Sequence, residues 1–324
     1  MLSMNPSRKR FPVKRMTRRL LLPAGCLPVV IFLGACSPQG EGGSPAPEQR
    51  VFLDEARALL TEGETALAID LFTRAIASGE SPVEARLERA KAHLAVGQLP
   101  QAIEDLGRAI KLDPKKADAY YYLGVAKARS KDLAGAIEAY GGAIGVQPDY
   151  VKAYANRAGI LGGQGKVKEA IADCDTAIRL DPYNAPFLVN RGIFYKQSGN
   201  IARALKDWEA ALKLDSKLAG AYFNRGMHYG AVGDYAKALG DLDKVLELQP
   251  GDIRALRFRA MARHGLEDYE GAVEDLSAVL KRAPRQAGAW LARSKAWEEI
   301  GDQEKAAADR LKAIALNPAL GEEP

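Results

Sequence analysis

The sequence predicts an all-α chain whose bulk is a solenoid of about eight helix-turn-helix units of 34 residues each. Three observations predict it. First, shifting the stretch Ala219 to Asp252 by 34 residues in either direction lands on a copy of itself, and self-similarity at such a period marks a stacked array rather than one core. Second, two apolar runs at helical spacing flank Val232-Gly233-Asp234, and Gln249-Pro250-Gly251 ends the second run, so the unit reads as an antiparallel helix pair. Third, fixed places in the unit keep a residue type from copy to copy, which a chance pattern does not do over eight repeats. A chain of 324 residues, 47% hydrophobic, is long for one compact core, whereas in a solenoid each unit packs only on its neighbours.

The segment before the array has two parts. Residues 1–35 begin with a basic stretch, followed by an apolar run from Leu20 to Leu33 broken at Pro23 and Pro28 and then by Leu33-Gly34-Ala35-Cys36. The run is too short to span a bilayer as a helix and has the order of an export signal. Its last four residues resemble the lipobox of bacterial lipoproteins. That resemblance implies cleavage before Cys36, acylation of Cys36 with palmitate-like chains, and a place in the envelope, with the outer membrane facing the periplasm favoured because Ser37 stands where an inner-membrane retention aspartate would. Residues 36–48 are rich in Gly, Pro and Ser, with nothing apolar enough to pack, and read as a flexible tether. The net charge of +5 is concentrated in the leader, since Arg8, Lys9, Arg10, Lys14, Arg15, Arg18 and Arg19 precede Cys36 with no acid among them. The remainder is slightly acidic, which removes the charge argument for nucleic acid.

The array runs over 49–320, with units starting at 49, 83, 117, 151, 185, 219, 253 and 287, and 321–324 form a tail. Place 8 is always small, from Ala56 through Gly192 and Gly226 to Ser294, so that the two helices approach closely, and place 24 is bulky or apolar at Phe72, Leu106, Tyr140, Cys174, Trp208, Leu242 and Leu276. Place 24 of the last unit is Arg310, as befits a terminal helix that water covers. Place 15 is glycine in six units, suited to the positive φ that ends a helix. It is Lys131 and Glu267 in the other two, and those two turns are expected to close differently. Place 32 is proline, which stops the second helix, except at Glu80 and Ser216. This pattern resembles the tetratricopeptide repeat, and the resemblance implies a right-handed superhelix with first helices on its concave wall.

A second regularity joins places 7 and 23. Arg157 with Asp173, Arg191 with Asp207 and Arg225 with Asp241 occupy them, as do Arg89 with Asp105, Arg259 with Asp275 and Arg293 with Asp309, whereas the third unit has Leu123 with Ala139. In a hairpin hinged at place 15 these places face one another, so the residues are expected to form ion pairs within a unit, in a structural role.

A third regularity bears on function. Asn156, Asn190 and Asn224 all stand at place 6 of their first helices, and each amide offers one acceptor and one donor group that suit a peptide bond whatever its side chain. Phe223 and Met227 flank the row and are expected to share in peptide binding. The row resembles the asparagine ladder in the repeat domain of O-linked N-acetylglucosamine transferase, which implies a grip on extended polypeptide; no glycosyltransferase domain follows. The carboxylate clamp of the family requires Asn at place 9, where none occurs, so a receptor for chaperone tails is disfavoured. His93, His228 and His264 belong to separate units, no metal-ligand spacing is present, and Cys174 stands at a core place. The reading is therefore a non-enzymatic adaptor or scaffold, lipid-anchored, that binds proteins or extended peptides, with no cofactor, metal, nucleic acid or small-molecule substrate. An enzyme with its site on the concave wall is the disfavoured alternative.

Overall fold

The computed structural model describes residues 51–321; the leader, the whole tether with Cys36, residues 49–50 of the array and residues 322–324 of the tail lie outside the described residues. The chain forms helix pairs in strict succession, α1 (Val51–Thr61) with α2 (Thr65–Ala77), α3 (Pro82–Ala95) with α4 (Leu99–Leu112), α5 (Ala117–Arg129) with α6 (Leu133–Val146), and α7 (Val151–Gly163) with α8 (Val167–Leu180). It continues with α9 (Ala185–Gln197) and α10 (Ile201–Leu214), α11 (Ala219–Ala231) and α12 (Tyr235–Leu248), α13 (Ile253–Gly265) and α14 (Tyr269–Arg282), and α15 (Ala287–Ile300) and α16 (Gln303–Leu316). A short 3-10 turn over Pro318–Gly321 follows. The fold is an all-α helical repeat solenoid, and no described residue is in a strand.

Each first helix packs on its own second helix and on the second helix of the preceding unit. Successive first helices also touch directly, α3 with α5, α7 with α9, α9 with α11 and α11 with α13, whereas among the described residues no two second helices approach as closely. The first helices therefore form the inner, more crowded wall of the array.

The cores follow the repeat. Phe72, Leu106, Tyr140, Cys174, Trp208, Leu242 and Leu276 are all buried between the two helices of their units, while Arg310 is exposed. Size is balanced across this contact. Where place 24 is Tyr140 or Trp208, place 8 is Gly124 or Gly192, and a β-carbon there would come within 2.5 Å of the ring.

The expectation that the turns at Lys131 and Glu267 close differently is overturned. Both residues take the left-handed conformation, φ 68° and 64°, that Gly97, Gly165, Gly199 and Gly233 adopt at 77–80° in the same place. The packing of the helices on either side fixes the turn, and a side chain there is tolerated at a local cost of about 1–2 kcal/mol. The aspartates that follow, Asp132 and Asp268, accept hydrogen bonds from the N–H groups of Gly135 and Gly271 at 2.9 Å, capping α6 and α14.

The two units without proline at place 32 diverge from each other. Next to Ser216, α10 ends at Leu214 in register with its counterparts, and the Asp215 carboxylate closes the turn by accepting from Lys217 N–H at 2.8 Å. Glu80 instead turns inward, 1% exposed, and its Oε1 accepts from Leu53 N–H in the first turn of α1 at 3.2 Å. A carboxylate from the end of the unit thus caps the helix that begins it.

Candidate functional site: the wall of first helices

The paired charges come first because they hold the wall in place. Arg157 donates to both oxygens of Asp173 at 2.8 and 2.7 Å, Arg191 to Asp207 at 2.8 and 2.7 Å, and Arg225 to Asp241 at 2.8 and 2.7 Å. Arg89 with Asp105, Arg259 with Asp275 and Arg293 with Asp309 repeat the fork. Such forks fix geometry as well as charge, and the hydrogen bonds to aspartate hold the guanidinium protons of Arg157, Arg191 and Arg225 more tightly than usual.

A further link was not read from the sequence. The remaining Nη1 of Arg89, Arg191, Arg259 and Arg293 reaches back one unit, to Thr73 Oγ1, Asp175 Oδ1, Asp243 Oδ1 and Ser277 Oγ at 2.7–2.8 Å. All four acceptors stand at place 25 of the preceding unit, so one arginine ties three helices together. The signal available in the sequence was the polar residue at place 25 of five units, Thr73, Asp175, Glu209, Asp243 and Ser277, with glycine at 107 and 141.

On this scaffold the asparagine row faces a series of concavities. Asn156 and Asn190 line one cavity of about 560 Å³ together with Tyr140, Ala155 and Ile160. Asn224 and Phe223 line the next, of about 250 Å³, with Ile193 and Arg254. Phe223 is anchored edge-to-face on Phe258, ring centroids 5.6 Å apart, and the Arg254 guanidinium lies 4.7 Å from its centroid. Met227, one turn further along α11, is half-buried and lines neither cavity.

The three amides are not equivalent, which differs from a uniform ladder. The Nδ2 of Asn156 donates to the hydroxyls of Tyr121 and Tyr140 at 3.3 and 3.4 Å, and that of Asn224 donates to Gly220 carbonyl, one turn back, at 2.7 Å. Mid-helix asparagine readily bonds back in this way. Asn190 is half-buried and makes no such internal bond, so its carbonyl and both of its N–H groups are free for a ligand, whereas Asn224 keeps one N–H and Asn156, with both engaged, keeps only its carbonyl. Burial pushes the Tyr140 hydroxyl up to about 12, which keeps it a neutral partner for Asn156.

The remaining titratable groups have structural surroundings. Cys174 is buried at the centre of the fourth unit, and that burial raises its thiol to about 12. Burial, with Lys196 nearby, lowers His228. Among the described residues no three His, Cys, Asp or Glu side chains are grouped to hold a metal ion, and no helix is long and apolar enough to cross a membrane.

Comparison with known proteins agrees with this architecture. Family models described as tetratricopeptide repeat match residues 53–95, 132–185 and 259–320 and residues 219–252, and a further one described as TPR repeat matches 90–131. Among solved structures, a tetratricopeptide repeat protein from Parabacteroides merdae is 22% identical, with 74% of this chain and 96% of that one covered at a TM-score of 0.56. A chain of the APC/C hetero-tetramer Cut9-Hcn1 is 16% identical, with 84% of this chain and 54% of that one covered at a TM-score of 0.57. MamA is 26% identical over 53% of this chain and 93% of its own, at a TM-score of 0.49. A search of the curated proteins found no match.

Proposed function

The chain belongs to the tetratricopeptide-repeat family, and from that premise we propose that it is a non-enzymatic protein-interaction scaffold that takes extended polypeptide along its first-helix wall. The observation that carries this reading is the run of cavities at Asn156, Asn190 and Asn224, in which neutral amides stand beside apolar surface. Backbone amides of a ligand find partners there whatever the side chains, and the apolar surface adds area without demanding a sequence. Helices pack about 8–10 Å apart and an extended chain advances about 3.3 Å per residue, so each unit meets roughly every third residue of a bound chain.

We further propose that the scaffold is held to the bacterial envelope by acyl chains on Cys36, with the array facing the periplasm. The support is Leu33-Gly34-Ala35-Cys36 after a basic, then apolar leader, and the Gly/Pro/Ser-rich stretch behind it. Each buried CH2 contributes about 0.8 kcal/mol, so more than one chain gives firm attachment.

The groove is tested with a photo-crosslinking residue at position 223 and, as a control, at Glu209 on the opposite, second-helix side. Polypeptide adducts at 223 but not at 209 support the reading, and equal labelling at both overturns it. The anchor is tested by metabolic labelling with a palmitate analogue, which must mark the wild type and not Cys36→Ser.

A further inference from the structure

We propose that the seventh and eighth units carry a second recognition site, for an acidic polypeptide segment that sets one medium-sized apolar side chain between two carboxylates. It rests on the reading of the first-helix wall as a polypeptide groove and adds to it the charge of the ligand and the place of its acidic stretch.

The site is a cavity of about 290 Å³ between α13 and α15, with walls of Ala260, Met261, Leu276, Ala289 and Ala292. That volume is at the lower end of ligand pockets, which run to roughly 300–1,000 Å³, so it suits one side chain rather than a large molecule. Met261 at its mouth is 60% exposed, and an unbranched thioether repacks easily around a guest.

Two cations, Arg257 and Lys295, line the same cavity, and no carboxylate does. Their isolation is unusual for these helices. Arg254 is paired with Asp252, Arg259 with Asp243 and Asp275, Arg263 with Asp275 and Asp268, and Arg293 with Asp309. Among the described residues Arg257 and Lys295 alone of the cations on α13 and α15 have no ion pair, and Glu298, three residues beyond Lys295, does not reach it. An apolar socket flanked by two unopposed positive charges is complementary to an apolar residue flanked by negative ones.

The neighbouring wall sharpens the argument. Places 5, 6 and 9 hold no charged residue in the third to sixth units, and the first cations to enter these places beyond them are Arg257 and Lys295. Arg57 and Lys91 stand at place 9 of the first two units but are paired with Asp54 and Glu88, so a polypeptide lying along these places meets neutral surface in the middle of the array and unpaired positive charge towards its C-terminal end. Its acidic stretch lies over the seventh and eighth units, which fixes its register on the wall.

Fluorescence anisotropy with the purified full chain tests this, using a labelled, C-terminally amidated peptide GSELEGS, with GSKLKGS and GSESEGS as controls. The acidic, leucine-bearing peptide is expected to bind about tenfold more tightly than either control, and Arg257→Ala/Lys295→Ala to weaken it by about tenfold. Met261→Glu, at an exposed position that folding tolerates, is expected to abolish binding, with circular dichroism confirming unaltered helicity. Asn156→Ala/Asn190→Ala/Asn224→Ala is expected to leave this short peptide unaffected. Absence of GSELEGS binding, equal binding of GSKLKGS, or indifference to Arg257→Ala/Lys295→Ala overturns the proposal. Loss of binding in the asparagine variant with the cation variant unchanged overturns this site and leaves the general groove standing.

Discussion

Trp208 lies so close against Gly192 that a β-carbon on the glycine would stand 2.5 Å from the indole Nε1, while that N–H donates to Val189 carbonyl at 3.3 Å. The ring has no room to retreat, since Trp208 is 0% exposed. Alanine in a helix is ordinarily better than glycine by about 1 kcal/mol, yet here Gly192→Ala is expected to destabilise by about 2 kcal/mol because overpacking prevails. The second and seventh units, with Ala90 and Leu106 or Ala260 and Leu276, show the combination that fits. Trp208→Leu in the Gly192→Ala background is therefore expected to recover stability in urea melts. A Gly192→Ala variant more stable than wild type would contradict the close packing.

The forked pair of Arg225 and Asp241 predicts a non-additive double mutant. Their side chains are 22% and 8% exposed, so Asp241→Ala leaves a mostly buried guanidinium without its counter-charge and is expected to cost about 3 kcal/mol. Arg225→Leu/Asp241→Ala removes both charges and reproduces the Leu123 and Ala139 combination of the third unit, so the double variant is expected to be more stable than Asp241→Ala alone. Urea melts of the four proteins measure the coupling, and a double variant that is the least stable of all would contradict it.

At Lys131 and Glu267 the backbone predicts a gain. Both hold φ near +65°, in a region that costs a side-chain-bearing residue about 1–2 kcal/mol and glycine little. Part of the gain is lost to the freer unfolded chain of glycine, so Lys131→Gly and Glu267→Gly are each expected to stabilise by about 0.5–1 kcal/mol. Thermal melts that move downward for both would show that the side chains contribute more than the strain removes.

The architecture was legible because eight copies imposed the same constraint, so small residues at place 8 and bulky ones at place 24 marked the helix contact in the sequence itself. The opposed places 7 and 23 were legible for the same reason, from the shared absence at Leu123 and Ala139. The back-reach of Arg191 to Asp175 was not, because its acceptor varies among Thr73, Asp175, Asp243 and Ser277 and is recognised only when a third helix is positioned. Lys131 misled because residue preference at a turn reports its ease, whereas the packing of both helices decides its geometry. The asparagine row was visible as spacing, but which NH2 groups are already engaged depends on Tyr121, Tyr140 and the Gly220 carbonyl, which spacing does not locate.

Cys174 gives a prediction in pH. Burial raises its thiol to about 12 in the folded state, against about 8.5 in an unfolded chain. The folded protein therefore retains a proton that the unfolded chain releases between these values, and by linkage this group lowers stability as pH rises through that window. Cys174→Ala removes the contribution, so its stability is expected to fall less steeply than wild type between pH 8.5 and about 11. At pH 8 the folded wild type is expected to react with a thiol reagent only at the rate of unfolding; rapid labelling would contradict the burial.

The asparagine row predicts an unequal response, and Asn190 is its test. Asn156 has both N–H groups of its amide turned to tyrosine hydroxyls and presents only its acceptor outward, whereas Asn224 gives one N–H to a backbone carbonyl and keeps the other. Asn190 presents both groups beside the cavity it shares with Asn156. For a polypeptide found by crosslinking at position 223, Asn190→Ala is expected to remove two hydrogen bonds and weaken binding by about tenfold or more, at about 1 kcal/mol per bond. Asn156→Ala removes one and is expected to cost about fivefold. Asn190→Asp keeps the acceptor but not the donor and is expected to fall between wild type and Asn190→Ala. Isothermal calorimetry on the three variants decides it. Equal losses at Asn190 and Asn156 would mean that the NH2 of Asn156 leaves the tyrosine hydroxyls on binding, and no loss at either would remove the amides from the recognition of the chain.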